Sequence, residues 1–229
     1  MNTRSIPVLM AALLAGTIAL AADEPMDTPK NRRQAEAEWS ADGLQKTKIK
    51  GLDLVYARPG ASLAGYKQVR LTPVSVTFRK EWHNPAGSPY RMSANDTERI
   101  KTRLSALVHE ELAKELGKGG YELVEASGDE VLELQMSIID LHATAPDVRT
   151  AGRVEVFAFS AGEMTLVAEL RDSVSSDPIM RIYDRGRAME TGDVRRITVV
   201  DNAMQAGIIA GHWARAIRRE LDLARGVER

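Results

Sequence analysis

Hydrophobic residues recur along this chain with two periods, and the switches between them mark out the elements. Period 2 opens at residues 52–56, a short strand closed by the turn Arg58-Pro59-Gly60. A longer strand follows over residues 66–78, with Val69 and Leu71 on one parity and Val74, Val76 and Phe78 on the other. Pro73 lies between the two sets and cannot donate to a ladder, so a bulge near Thr72-Pro73 is predicted to bring all five side chains to one face. Period 3.6 then takes over. Asn95 as N-cap and Glu98 as its capping-box partner start a helix whose apolar stripe is Ile100, Leu104, Leu107, Leu112 and Leu116, and glycines at 117, 119 and 120 stop it.

Residues 121–124 read as a short strand. In residues 131–141, Leu132, Leu134, Met136 and Ile138 alternate with Glu133, Gln135 and Ser137, which predicts one buried and one wet face. Met164, Leu166, Ala168 and Leu170 repeat the pattern, and residues 179–187 return after the loop 173–177 as a hairpin partner. A last helix runs from an Asp201 cap to about residue 224, with Ala203, Gly207, Ala210, Ala214, Ile217 and Leu221 at helical spacing. The order strand, helix, several strands, helix predicts an α+β domain: a mostly antiparallel sheet with two long helices packed on one face.

The N-terminus breaks this rhythm. Arg4 precedes an apolar run over residues 6–20, and Ala19-Leu20-Ala21 offers a small-x-small cleavage pattern, so residues 1–21 read as a signal peptide. The run is shorter than the roughly 20 residues a membrane span needs, and no later segment is apolar enough, so no membrane span is expected after cleavage. Residues 22–50 are charged and sparsely apolar and read as a flexible linker, leaving 51–229 as a single domain. The expected location is periplasmic or secreted.

Composition narrows the function. Lys+Arg 31 against Asp+Glu 32 gives a net charge of -1, without the excess positive charge of a nucleic-acid binder. Zero cysteines rule out disulfides, thiolate metal sites, a cysteine nucleophile and a lipid-modified cysteine anchor. His83, His109, His142 and His212 fall in no metal-ligand spacing, and no phosphate loop, dinucleotide fingerprint or serine elbow occurs. Neither a metal nor a cofactor is expected.

Two segments stand out as partner-binding candidates. The loop 81–91 carries Trp82, His83, Tyr90 and Arg91, aromatic area beside a charge-assisted donor; the plainer reading is a connector folding its own rings onto the core edge. Arg181, Tyr183 and Arg185 share one strand parity with Arg187 and form a basic, aromatic stripe. A hairpin symmetric about Ser175 sets Glu169 opposite Arg181 and Glu163 opposite Arg187, which neutralises most of that stripe. Asp140, Asp172 and Asp184 lie at or near strand ends. Asp172 reads as the acceptor that closes the 173–177 turn, and Asp184 shares the inward parity of Ile182 and needs a buried partner.

The segment from Gly51-Leu-Asp-Leu-Val-Tyr-Ala-Arg-Pro-Gly to Leu71-Thr-Pro-Val-Ser-Val-Thr-Phe, with the Trp82 loop after it, resembles an uncharacterised family of bacterial secreted proteins and lipoproteins, domain of unknown function 3313. The helix with Ala113-Lys-Glu-Leu116 and the hairpin with Ala168-Glu-Leu-Arg-Asp172 fit the same family, extending the resemblance to about residue 224. It implies an envelope protein and transfers no catalytic residue. Many members are tethered through a lipidated cysteine, from which this chain departs, and Ser176-Asp177 stands where such hairpins commonly carry glycine. The expected function is a non-enzymatic interaction module meeting an envelope protein or a second copy of itself. The alternatives are a cysteine-independent periplasmic hydrolase and a structural homo-oligomer.

Overall fold

The computed structural model describes residues 26, 28–79, 93–144, 158–160, 164–186 and 199–227. Along the chain these form α1 (Arg32–Ala41), β1 (Gln45–Thr47), β2 (Leu54–Ala57), β3 (Gln68–Leu71), β4 (Ser75–Phe78), α2 (Ala94–Lys118), β5 (Glu122–Leu123), β6 (Val131–Thr144), β7 (Ala158–Ser160), β8 (Met164–Asp172), β9 (Pro178–Gly186) and α3 (Val199–Ala224). The strands make a nine-stranded sheet in the order β1-β2-β9-β8-β6-β3-β5, with β4 and β7 also paired to β6. Neighbours are antiparallel from β1 to β6, and only the β3, β4 and β5 pairings are parallel. The fold is α+β, with both long helices on one face.

The predicted break at Pro73 is present. Leu71 pairs with Leu134 and Ser75 with Ser137, so four steps on one strand match three on β6, and Val69, Leu71, Val74, Val76 and Phe78 all join the helix-side core. On α2 the buried row is Ile100, Leu104, Val108, Leu112 and Leu116, spaced strictly by four, with Leu107 beside it. The helix starts at Ala94, so Asn95 sits inside its first turn, and Thr97 donates both its N–H and its hydroxyl to the Ser93 carbonyl. It ends where Gly120 adopts φ 75 and the Tyr121 N–H meets the Leu116 carbonyl. α3 likewise begins before Asp201, at Val199. Its buried side includes Ala206, Ile209, Ala210, Trp213, Ala214, Ile217 and Leu221. Trp213 reaches β9 closely at Gly186, where an added Cβ would lie 2.7 Å from Ile209 and 3.2 Å from the Met164 carbonyl.

The linker reading of residues 22–50 is corrected over its described part. Asn31 caps α1 by accepting from the Gln34 N–H at 3.0 Å, and the helix places Ala35 and Trp39, followed by Leu44, over the sheet face opposite the long helices. There they form a second core with Leu54, Tyr56, Ile139 and Val167. Sequence patterning missed it because three alanines and one tryptophan on a ten-residue polar helix make no strong stripe, and of these only Ala35 and Trp39 are buried.

The second sheet face is not wet: this strap covers it at Ser137, Ile139 and Val167, and ion pairs cover it around Glu133. Glu133, at 1% exposure, and Gln135, Ser137, Thr165 and Glu169 are all buried. Burial of so many polar groups is tolerable because they are paired. Glu133 is held by Arg70, by Arg171 at 2.6 Å and by the Gln135 amide at 2.8 Å, and Glu169 is held by Arg181. No described helix is long and apolar enough to cross a membrane.

Candidate functional site

β6 is irregular beside β4. Val76 pairs with Ile138 but Phe78 with Leu141, so β6 carries one extra residue, and Asp140 within that bulge has φ 57. The bulge reverses the strand's parity: Ile139 packs under the strap while Leu141 returns to the helix-side core. A residue other than glycine in the left-handed region is tolerated best when it is Asp or Asn, and such outliers gather at functional sites.

Asp140 lines two adjoining hollows on the strap side. One is a recess of about 100 Å³, walled by Arg79, Asp140, Thr165, Tyr183 and Arg185. The other is a cleft of about 530 Å³ between strap and β4, lined by Thr28, Pro29 and Lys30 from the strap, Ser75, Thr77, Phe78 and Arg79 along β4, and Ser137, Ile139 and Asp140 on β6. The two meet at Arg79 and Asp140, which line both. Burial, and after it the negative charge of Asp140, raise the Tyr183 phenol above its usual value, so the hydroxyl stays neutral. The cleft's volume falls in the range of small-molecule sites.

Its floor is a directed chain of hydroxyls. Ser75 Oγ donates to Ser137 Oγ at 2.6 Å, and Thr28 Oγ1 donates to the Met26 carbonyl at 3.1 Å. With both of those protons used, the 3.1 Å contact between Ser137 and Thr28 must be donated by Ser137. Thr77 Oγ1 leans on the Ile138 carbonyl at 3.5 Å.

The sequence-derived candidates separate here. Arg181 is a structural residue, ion-paired with Glu169 across the hairpin and with Asp42 at the end of α1. Tyr183 and Arg185 line the recess, so two members of the stripe reach the site. Trp82, His83, Tyr90 and Arg91 lie outside the described residues, as do the signal peptide, Glu163 and Arg187. Arg79, Lys30 and the four hydroxyls were not singled out from the sequence; the polar parity Ser75, Thr77, Arg79 was the available signal.

The three acids do not assemble. Asp172 pairs opposite Leu132, eight residues along β6 from Asp140, or about 25 Å. There it accepts from the N–H groups of Val174 at 2.9 Å and Ser175 at 2.7 Å and from the Tyr66 hydroxyl at 3.0 Å, closing the turn as its sequence suggested. Asp184 is on the helix side, 6% exposed, and its missing partners are the Asp53 N–H and Trp213 Nε1–H, each at 2.7 Å. Burial raises its carboxyl above the ordinary value. Nearby, His212 Nε2 meets the Gly51 carbonyl at 2.7 Å. Among the described residues, no three His, Asp or Glu side chains cluster as a metal site.

A sheet covered by two helices on one side and a short strap on the other, with a polar cleft at the strap's edge, defines the class: an α+β domain with a ligand-sized hollow. Residues 33–217 match the family described as "Protein of unknown function (DUF3313)", and the chain belongs to that family. The match begins inside α1, so all of that helix after Arg32 lies within it, while Thr28, Pro29 and Lys30 precede it. No curated protein matches the chain. Among solved structures, a minor lipoprotein from Acinetobacter baumannii is similar at 11% identity and TM-score 0.33, over 70% of this chain and 94% of that one. The PelC dodecamer from Paraburkholderia phytofirmans is similar at 10% identity and TM-score 0.33, over 76% and 97%. A putative neuraminyllactose-binding hemagglutinin homolog from Helicobacter pylori is similar at 11% identity and TM-score 0.36, over 79% and 95%.

Proposed function

We propose that this protein is an exported, non-enzymatic binding module of the bacterial envelope, and that the cleft between strap and β4 is where it takes its ligand. One observation carries the reading. A strained bulge residue, Asp140, brings its carboxylate to a recess that Arg79, Tyr183 and Arg185 also line. Charged groups from three strands meet at a hollow of small-molecule size, which hydrophobic burial alone does not call for. Export is supported by the Arg4, apolar-run and Ala19-Leu20-Ala21 pattern of residues 1–21. The end strands, β1 with three residues and β5 with two, are short edges that offer little template for edge-to-edge assembly.

The test has two arms. Osmotic-shock fractionation of a bacterial host should release a processed form lacking the first 21 or so residues. Thermal-shift measurements on that form, against small molecules extracted from the envelope, should give a stabilising fraction. The shift should vanish in the double variant Arg79→Ala/Arg185→Ala, provided its unliganded melting point is near wild type. A stabilising fraction that acts equally on the double variant places the ligand elsewhere and refutes the cleft.

A further inference from the structure

We propose that the ligand is an uncharged saccharide of mono- or disaccharide size, held chiefly through its hydroxyl protons. This rests on the cleft being the ligand site and goes on to what the cleft can recognise.

Arg79 and Arg185 line the hollows but are already engaged within the protein, so they call for no anion. What stays open to a ligand is chiefly acceptor. The Ser75 proton goes to Ser137, the Ser137 proton to Thr28, and the Thr28 proton to the Met26 carbonyl, which can only accept. Thr77 turns its proton toward the Ile138 carbonyl. Each of these hydroxyls has its proton directed into the protein, so the floor presents lone pairs, most openly at the exposed Ser75 and Thr77. Asp140, when ionised, is also an acceptor only, and among the described residues its carboxylate takes no hydrogen bond or ion pair. The acceptors are spread out as well: Ser75 and Thr77 stand two residues apart on β4, about 7 Å, and Asp140 lies on the neighbouring β6. Against them stand two donors, Lys30 on the cleft wall and the Tyr183 hydroxyl in the recess. The occupant must therefore bring several separated donors and also accept in one or two places.

That combination excludes three simpler classes. Phosphate or a carboxylate sets lone pairs against lone pairs, and its charge is repelled by Asp140. An ammonium gathers its donors at one nitrogen, short of acceptors about 7 Å apart, and has no lone pair for Lys30 or Tyr183. An apolar molecule strips water from Asp140 and the hydroxyls without replacing it, which costs free energy at each group. A neutral saccharide fits each part. Its hydroxyls each give one proton and can take others, and their distribution round a ring reaches along β4 and across to β6. Its C–H faces suit Pro29 and Ile139 on the same walls, and the cleft of about 530 Å³ is of small-molecule size.

The experiment is titration calorimetry on the processed full-length protein with glucose, galactose, mannose, N-acetylglucosamine, maltose, cellobiose and lactose as probes, beside inorganic phosphate, glutamate and ethanolamine. At least one neutral sugar should bind, and phosphate, glutamate and ethanolamine each at least about tenfold more weakly, the discrimination expected when polar groups of a site go unpaired. Deoxyfluoro analogues of the best sugar, each lacking one hydroxyl proton at nearly constant size, should include at least one that binds about tenfold more weakly. Asp140→Asn, which keeps a residue suited to the left-handed bulge, and Thr77→Val, which keeps the side-chain shape, should each weaken that sugar about fivefold or more while the unliganded melting point stays near wild type. The proposal is overturned if no sugar of the panel binds, if an anion or the amine binds as well as the best sugar, or if no deoxyfluoro analogue is weaker. A non-sugar ligand that is weakened by Asp140→Asn or Thr77→Val leaves the cleft standing and removes only the ligand class. Sugar binding that ignores both variants removes the cleft as well.

Discussion

Replacing Trp39 with alanine tests the strap directly. The indole is 2% exposed and meets the Tyr56 ring edge-on at 5.8 Å between centroids. A buried Trp→Ala change costs about 3–5 kcal/mol when the surroundings stay in place. They need not stay. α1 has ten residues, too few to hold as an isolated helix, and its other apolar anchors are Ala35 and Leu44. Arg181–Asp42 is a partly exposed ion pair and adds about 1 kcal/mol or less. The expected response is undocking of the strap before the main core yields, since that core spans both long helices and six of the nine strands. Hydrogen exchange read on peptides covering 31–47 and 131–139 separates the two. A loss of about 3 kcal/mol corresponds to roughly a hundredfold faster exchange in 31–47. Amides of β6 paired to β8 should slow or speed by far less. Unchanged protection in 31–47, or equal loss in both peptides, refutes a strap that docks as its own unit. Because Thr28, Pro29 and Lys30 wall the cleft, the same variant should bind the ligand more weakly.

Asp184 sets a pH dependence. Burial raises its folded-state pKa above the unfolded value of 3.8, so its contribution is fully present below about pH 4 and is lost as pH rises through the folded value; urea unfolding of Asp184→Asn should gain on wild type between those pH values, and a constant difference counts against the assignment. Asp172 has the opposite sign. Burial pushes its carboxyl up, but the Ser175 N–H, the Tyr66 hydroxyl and the Val174 N–H outweigh it and hold the group below 3.8, so its stabilisation is present above that value and is lost as pH falls through the folded pKa. Tyr66, whose own phenol is pushed up to about 12, should lose about 1–2 kcal/mol of stability as Tyr66→Phe at neutral pH, with the difference shrinking in acid; a pH-independent loss means packing alone. Ser176 holds φ 61 in the hairpin turn, and Ser176→Gly should raise stability by about 0.5–1 kcal/mol by denaturant midpoint, whereas a loss shows that the serine earns its place by a contact.

Much of the fold was legible because it follows from local rules. Proline's missing N–H located the bulge between β3 and β4, and the alternation of Leu132 to Ile138 against Glu133 to Ser137 separated the two faces of β6 and identified the apolar one, while the polar face it marked as wet is buried. Hairpin symmetry about Ser175 set Glu169 opposite Arg181. Val108 and Trp213 escaped because several phases of a helical stripe satisfy the same apolar count, and packing selects among them. The site was legible only in fragments: Tyr183 and Arg185 by parity, and Asp140 as a strand-end acid.

By itself the sequence determined the period of the two long helices and of the main strands, the absence of any disulfide, and the hairpin register that neutralises Arg181. Tertiary structure decided which polar face is buried, since that depends on Trp39 crossing to β2 from a segment with no stripe of its own. It also decided that Lys30, Arg79, Asp140 and Arg185, drawn from the strap and three strands, line the same hollows. The physical reason is range. Propensity and periodicity act over a few residues, whereas a site assembled across more than 150 residues of chain exists only after the sheet order and one unpaired bulge residue have been set.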